Sequence, residues 1–170
     1  MRKTTFTKFI NSLSEEELKS ELDKIYTKYK SVKEFYTMEL GESKDRMLLL
    51  DKAKKKIAKL YDRRRARSRV SKTNVIIKEM VTISIFDHEL ADVYLTHAEV
   101  AAIHVRDYRN PKDAEVNTLV KSFKTSINLA LSSGSFEDFR PRFEKIFESL
   151  YGFYWIVEEL EFIYDDMIES

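Results

Sequence analysis

The scarcity of glycine and proline is the feature that most limits the folds open to this chain. Only three glycines and two prolines occur among its 170 residues. A β-rich fold of this length normally uses more residues that accept positive φ at tight turns. The hydrophobic share of 43% also supplies enough apolar bulk for a packed core. The sequence therefore predicts an all-α protein with no sheet.

Apolar residues at helical spacing fill most of the chain, and polar segments that suit turns or helix caps separate them. We expect about eight or nine helices, arranged as stacked antiparallel helical hairpins or an irregular helical bundle. No fixed internal period is visible, which argues against a repeat solenoid. The length fits a single helical domain over residues 1–170, with a basic connector around residues 62–71.

The N-terminal part predicts three short helices. Ser14 with Glu17 has the pattern of a capping box, and Ser31 with Glu34 repeats it, so a helix is expected to begin after each serine. The first helix carries an apolar edge, which we expect to pack on the body of the protein. The residues of that edge are Phe6, Phe9, Ile10 and Leu13.

The middle of the chain predicts a buried central helix. Residues 75–86 are apolar on nearly every side. The β-branched run at residues 81–85 is also compatible with a strand, but helix is preferred because no partner strand is visible. Three residues are candidates for the N-cap of this helix: Ser71, Thr73 and Asn74.

The two prolines mark helices further along the chain. Asn110 followed by Pro111 predicts a cap with proline at the first helical position. Pro141 lies inside a second amphipathic stretch, where we expect a kink or a late helix start.

Residues 52–72, the basic stretch, depart from the overall balance of charge. They hold eleven basic residues and one acid, a local charge of +10 in a chain with a formal total of +1. Its first half lies on a helix from about Ser43 to Tyr61, with lysines on a stripe that points at water. The aperiodic arginine run that follows is expected to be a connector or a frayed helix end. The candidate nucleic-acid-binding residues are Lys52, Lys55, Lys56, Lys59, Arg63, Arg64, Arg65, Arg67 and Arg69.

The basic stretch has several possible partners. Its charges suit the phosphates of RNA, with an affinity that falls steeply with salt. No motif for reading bases accompanies it, so phosphate contact is the most that it predicts. Alternatively, the lysines form a solvated face, the arginines pair with the acidic C-terminal region of the same or a second copy, or the stretch docks on an acidic protein or an anionic membrane.

The C-terminal region is acidic and rich in aromatic residues. Residues 135–170 carry ten acids and three bases, a local charge of −7. The region also has more aromatic side chains than one helix face needs, which predicts contact with another protein or with a second copy. The candidate protein-interaction residues are Tyr151, Tyr154, Trp155 and Phe162.

No motif predicts catalysis, and the sequence is interpreted as non-enzymatic, with no cofactor, metal or small-molecule substrate identified. The absence of cysteine excludes a thiolate nucleophile and a Cys-based zinc site. His97 and His104 are separated by about 10 Å of helix rise, too far to bind one ion together. His88 and Asp92 have useful spacing but are only two ligands, so core or surface histidines are favoured. Glycine-rich phosphate loops are also missing.

Membrane and export signals are weak. Lys8, Asn11 and Glu15 interrupt any apolar run behind the basic amino terminus, which argues against a signal peptide. The longest uncharged apolar runs, residues 80–86 and 150–157, are far shorter than the roughly 18 residues of a membrane span. We expect a cytoplasmic protein without a membrane-spanning segment.

Four stretches resemble segments of a known family: FINSLSEEEL at residues 9–18, VKEFY at 32–36, RVS at 69–71 and DFRPRF at 138–143. That family consists of small, all-helical bacterial proteins of uncharacterised function. The resemblance spans most of the chain, and its motifs are structural rather than catalytic. It implies an all-helical cytoplasmic protein with no assigned chemistry.

Two functional hypotheses follow. The first is a non-enzymatic helical interaction protein that binds a protein partner or itself. The alternative is RNA-binding or ribosome-associated activity through phosphate contacts of the basic stretch. The position of the arginine run separates them: an exposed run far from the acidic region favours RNA, and contact between the two favours internal pairing.

Overall fold

A computed structural model describes residues 2–62, 70–84, 86–108 and 111–169. The described residues form nine α-helices and no strand, so the predicted fold class is confirmed. In chain order the helices are α1 (Lys3–Ser12), α2 (Glu15–Lys28), α3 (Lys30–Leu40), α4 (Ser43–Leu60), α5 (Val70–Ile83), α6 (Asp87–Asp107), α7 (Asp113–Ser132), α8 (Phe136–Ser149) and α9 (Tyr154–Glu169).

Helix α6 is the centre of the fold, because it contributes to two apolar cores. The larger core joins α6 to α7, α8 and α9 and includes Phe123 and Phe143, which are fully buried. The smaller core joins α6, through Val93, to α3, α4 and α5. The most extensive helix pairing is that of α6 with α7. Three small side chains of α6 are buried and permit close approach of a neighbouring helix: Ala98, Ala101 and Ala102.

Residues 75–86 were predicted to form a central helix buried on nearly every side, and the predicted burial was wrong. The segment is helical through Ile83, as preferred over a strand, but Val75 and Val81 are exposed. Only one face of α5, with Ile77 and Met80, enters the smaller core. The central position belongs to α6, which contributes buried residues to both cores.

Three predicted helix starts were also misplaced. Ser71, Thr73 and Asn74 lie inside α5, which already begins at Val70. Helix α7 begins at Asp113, and the Lys112 backbone N–H donates to the Glu115 carboxylate at 3.0 Å. Helix α3 begins at Lys30 after Tyr29, which makes no side-chain cap hydrogen bond. Asn110 lies outside the described residues, and Thr73, one of the candidates for the cap of α5, is buried beside the Tyr61 hydroxyl.

Two local predictions for the helices can be compared directly with the structure. The capping box at the start of α2 is confirmed, since the Ser14 hydroxyl accepts from the Glu17 N–H and the Glu17 carboxylate accepts from the Ser14 N–H. Helix α8 starts at Phe136 and continues through Pro141, so the expected late start is not observed.

The expected packing of the first helix on the body was wrong. Phe6 and Phe9 are 43% and 47% exposed, and neither α1 nor α2 has a buried residue. The helical spacing correctly predicted an apolar face on α1. Spacing carries no information about which surface covers such a face, and in the described chain Ile10 and Leu13 reach only half-burial.

Over the described ranges, no helix is both long enough and apolar enough to cross a membrane. The predicted connector around residues 62–71 falls mainly on residues 63–69, which lie outside the described residues.

Candidate interaction surfaces

The C-terminal aromatic surface consists of Tyr151, Tyr154, Trp155 and Phe162, whose exposed fractions are 80%, 65%, 56% and 72%. Ile156 and Leu160 fix α9 from the opposite side, where both are fully buried in the larger core. Trp155 and Phe162 are two helical turns apart and so lie on one stripe of α9. All four predicted protein-interaction residues are therefore accessible to a partner.

Acidic side chains share this outer face of α9. At 100° per residue, five of them fall with Trp155 and Phe162 within about a third of the helix circumference. They are Glu158, Glu159, Asp165, Asp166 and Glu169, and all are exposed. Helix α9 contains no basic residue. Its outer face thus combines large aromatic side chains with dense negative charge.

The lysine face consists of Lys52, Lys55, Lys56 and Lys59 on the outer side of α4. All four are exposed, while Ala53 and Ile57 on the opposite side are buried, as the pattern predicted. Leu48 and Asp51 border a shallow groove with these lysines. The arginine run with Arg63, Arg64, Arg65, Arg67 and Arg69 lies outside the described residues, so its position relative to the acidic region stays untested.

A buried hydrogen-bonded chain centres on His97. The Tyr61 hydroxyl lies 2.9 Å from His97 Nε2, and the Ser122 hydroxyl lies 2.8 Å from Nδ1. Burial lowers the pKa of His97 to about 4. Burial likewise raises the pKa of Tyr61 to about 12; a hydrogen bond with Thr73 opposes the rise, and the Glu115 carboxylate adds to it.

This buried network of Tyr61, His97 and Ser122 connects the end of α4 to α6 and α7. An uncharged imidazole that is fully buried and hydrogen-bonded at both nitrogens has no free position for a metal or a substrate. His97 is therefore a core histidine. No local pattern indicates its hydrogen-bond partners, because Tyr61 and Ser122 are 36 and 25 residues away.

The other two histidines make no hydrogen bond to this buried network, although the His104 ring packs edge-on against the Tyr61 ring at a centroid distance of 5.4 Å. His104 Nε2 is 3.4 Å from the Glu115 carboxylate, and His88 is exposed. Among the described residues, no group of three or more side chains is arranged to hold a metal ion.

A half-buried ion cluster joins α4, α6 and α8. The Asp92 carboxylate accepts from Lys54 at 2.7 Å and from Arg142 at 2.5 Å, and Arg142 also donates to both carboxylate oxygens of Glu99. Burial alone raises the pKa of Asp92, but the hydrogen bonds from Lys54 and Arg142 outweigh it and hold the pKa below its usual value. This arrangement fixes helix positions rather than creating a reactive group.

A groove of about 610 Å³ lies between α5 and α7, with Tyr94 of α6 in its lining. Its exposed polar side chains are Asn74, Lys78, Asn117 and Lys121, and the buried Ser122 also lines it. Sequence reasoning missed this groove because it depends on the spacing of two helices that both pack on α6.

The N-terminal helices expose a second large set of apolar side chains. From residue 2 to residue 37 no residue is buried, and Met38 is the first buried residue of the described chain. The exposed apolar side chains in this part are Phe6, Phe9, Leu22, Tyr26, Tyr29 and Phe35. The helical spacing of Phe6 and Phe9 was recognisable in the sequence, but it was interpreted as contact of α1 with the body.

The model of a family of unknown function, DUF6155, matches residues 1–168. The chain belongs to DUF6155. Membership confirms the resemblance to a family of uncharacterised function and brings no assigned chemistry to the DUF6155 fold. Neither a curated protein nor a solved structure shows significant similarity to the chain.

Proposed function

We propose that this DUF6155 chain is a non-enzymatic helical interaction protein that binds a protein partner or a second copy of itself through the C-terminal aromatic surface. The supporting observation is the exposure of Tyr151, Tyr154, Trp155 and Phe162 beside an anchored, buried face of the same helix. Solvent exposure of large aromatic groups is unfavourable in a monomer, and such groups dominate the energetics of protein interfaces. The proposal includes a cytoplasmic location, with which a chain free of cysteine is compatible.

A paired substitution tests this function. Trp155→Ser with Phe162→Ser removes the two side chains of one stripe without touching the buried Ile156 and Leu160. The matched control is Leu40→Ser with Leu48→Ser, since both leucines are highly exposed elsewhere. Capture from native lysate, with and without nuclease, should yield a nuclease-resistant partner or self-association that the first variant loses and the control retains. Equal binding by both variants would contradict the proposed surface.

RNA binding is the second candidate, and the lysine face supports it. Within the described residues, Lys52, Lys55, Lys56 and Lys59 form no ion pair, and the adjoining arginine run raises the local positive charge further. Four uncommitted cations on one helix face suit a phosphate backbone.

A variant without the lysine face tests this candidate against a control with the same change of charge. The variant replaces four residues by alanine: Lys52, Lys55, Lys56 and Lys59. The control replaces Lys28, Lys33, Lys124 and Lys145, which are exposed elsewhere. On single-stranded RNA, each lost phosphate contact should reduce the slope of log affinity against log salt by about 0.7. A further variant replaces Arg63, Arg64, Arg65 and Arg67 by alanine. Unchanged slopes in both test variants would reject RNA binding at this stretch.

A further inference from the structure

Helix α1 has an apolar face that the rest of the described chain covers only in part, since Phe6 and Phe9 are exposed and Ile10 and Leu13 are half-buried. Phe6, Phe9, Ile10 and Leu13 recur at i, i+3, i+4 and i+7, so they form one stripe. None of them is buried, and α1 takes part in no extensive packing with another described helix. A ten-residue helix is marginal in water by itself. Its stability therefore requires an apolar surface from another source.

The charge of α1 identifies the kind of surface that fits it. Residues 2–14 carry Arg2, Lys3 and Lys8 and no acid. Arg2 and Lys3 border the apolar stripe at its N-terminal end, whereas Lys8 lies on the opposite side of the helix at 100° per residue. The N-terminal end of a helix also carries a partial positive charge, and no acid in the first turn of α1 offsets it. The end of the stripe is thus strongly positive.

The outer face of α9 is complementary in both chemistry and spacing. Its aromatic pair Trp155 and Phe162 spans seven residues, as does the apolar stripe from Phe6 to Leu13. The acids Asp165, Asp166 and Glu169 follow one to two turns beyond Phe162, just as Lys3 and Arg2 precede Phe6 by about one turn. The negative end of the α9 dipole lies on the acidic side. An antiparallel pairing therefore places the apolar stripe of α1 against the aromatic pair of α9 and base against acid.

We propose that α1 of one copy packs antiparallel on the outer face of α9 of a second copy, in a reciprocal two-fold dimer. Within the described part of one chain the aromatic side chains of both faces are exposed, and α1 and α9 make no extensive contact, so the two faces do not cover each other in cis. In the dimer each copy supplies one α1 and receives one, which uses both faces and closes the assembly. This inference rests on the proposed function, because it names the occupant of the C-terminal aromatic surface.

Sedimentation equilibrium of the full chain measures the dimer directly. We expect a dimer mass at high concentration that dissociates on dilution. Arg2→Glu with Lys3→Glu should raise the dissociation constant about tenfold or more, because base and acid become like charges. The control Lys8→Glu should change it by less than about threefold, since Lys8 faces away from the pairing. All of these residues are exposed, so folding is preserved and is checked by circular dichroism.

A charge swap provides the sharper test. Asp165→Lys with Glu169→Lys, combined with Arg2→Glu and Lys3→Glu in one chain, should restore the dissociation constant to within about threefold of the unmodified value. A monomer at every concentration, failure of the swap to restore the dimer, or equal effects of Lys8→Glu and the Arg2 and Lys3 pair would overturn the proposal.

Two outcomes separate this inference from its competitors. If the chain stays monomeric and Phe6→Ser with Phe9→Ser abolishes co-sedimentation with phosphatidylglycerol vesicles, the occupant of α1 is a membrane and the dimer is rejected. If the chain stays monomeric but Trp155→Ser with Phe162→Ser still abolishes nuclease-resistant partner capture, the proposed function stands and only the reciprocal dimer falls.

Discussion

The N-terminal helices and the helices around α6 use the same sequence pattern with opposite results. Both regions carry apolar residues at helical spacing, yet α6 alone has ten buried residues and residues 2–37 have none. The difference lies in what surrounds each helix. Helix α6 has α4, α5, α7 and α8 packed around it, whereas α1 has no extensive helix neighbour in the described chain. Amphipathic periodicity specifies a face, and only tertiary context decides whether the chain itself covers that face.

The largest expected effect concerns the larger core. Phe123 of α7 is fully buried, and its ring contacts those of Phe143, Phe147 and Tyr164. Phe123→Ala should lower the free energy of unfolding by about 3–5 kcal/mol, since it removes a large side chain and leaves a cavity. Urea denaturation followed by circular dichroism measures this loss. A loss below about 1 kcal/mol would contradict the conclusion that the helices around α6 form the packed core of the protein.

The next effect is a dependence of stability on pH that originates at His97. Its pKa is about 4 in the folded protein and 6.5 when unperturbed, so the unfolded chain binds more protons between these values. The contribution of His97 to the free energy of unfolding should therefore be fully present above pH 6.5. It should fall as the pH decreases towards 4, by about 3 kcal/mol in total. Urea denaturation between pH 5 and 7 isolates this effect from most carboxylates.

His97→Gln should flatten that pH dependence, whereas the exposed His88→Gln should leave it unchanged. A slope that persists in His97→Gln would assign the effect to another group and contradict the buried, uncharged state of His97.

A smaller effect is expected at the ion cluster. Arg142→Leu leaves Asp92 with Lys54 alone and leaves Glu99 without its bidentate partner. Because these side chains are half-buried, the expected loss is about 1–2 kcal/mol, below that of a fully buried pair. The matched control is Arg140→Leu, whose partner Glu137 is exposed, and it should cost clearly less than Arg142→Leu because water screens this pair. Chemical denaturation at constant pH compares the two, and equal losses would contradict the structural role of the cluster.

The smallest effect is expected at the apolar face of α1. Phe9→Ser should change the free energy of unfolding of the monomer by less than about 0.5 kcal/mol, since Phe9 is 47% exposed on a helix without an extensive neighbour in the described chain. The measurement is urea denaturation at a concentration below that of dimer formation. A loss comparable to that of Phe123→Ala would mean that α1 packs on the body after all.

The sequence predicted the features that depend on local spacing. The scarcity of turn residues predicted an all-helical fold, and the alternation around Ala53 and Ile57 predicted which lysines of α4 face solvent. The Ser14 capping box was likewise recognisable, because its partners are three residues apart. The exposure of Trp155 and Phe162 followed from their position on the face of α9 opposite its buried residues.

Features that depend on contacts between distant residues were not predictable from the pattern. The pairing of His97 with Tyr61 and Ser122 joins three helices, and no local signal marks it. Helix α5 was interpreted as central because its side chains are apolar, but α6, with more charged residues, occupies that position. The uncovered face of α1 was missed for the same reason, since its periodicity is that of a packed helix.

Hydrogen exchange of the α1 amides at two protein concentrations tests the central claim most directly. Amides of residues 6–12 should exchange rapidly when the chain is dilute and become protected at concentrations where the dimer forms, while α6 stays protected at both. Arg2→Glu with Lys3→Glu should abolish the concentration-dependent protection. Protection of α1 that is the same at both concentrations, or absent at both, would contradict the account.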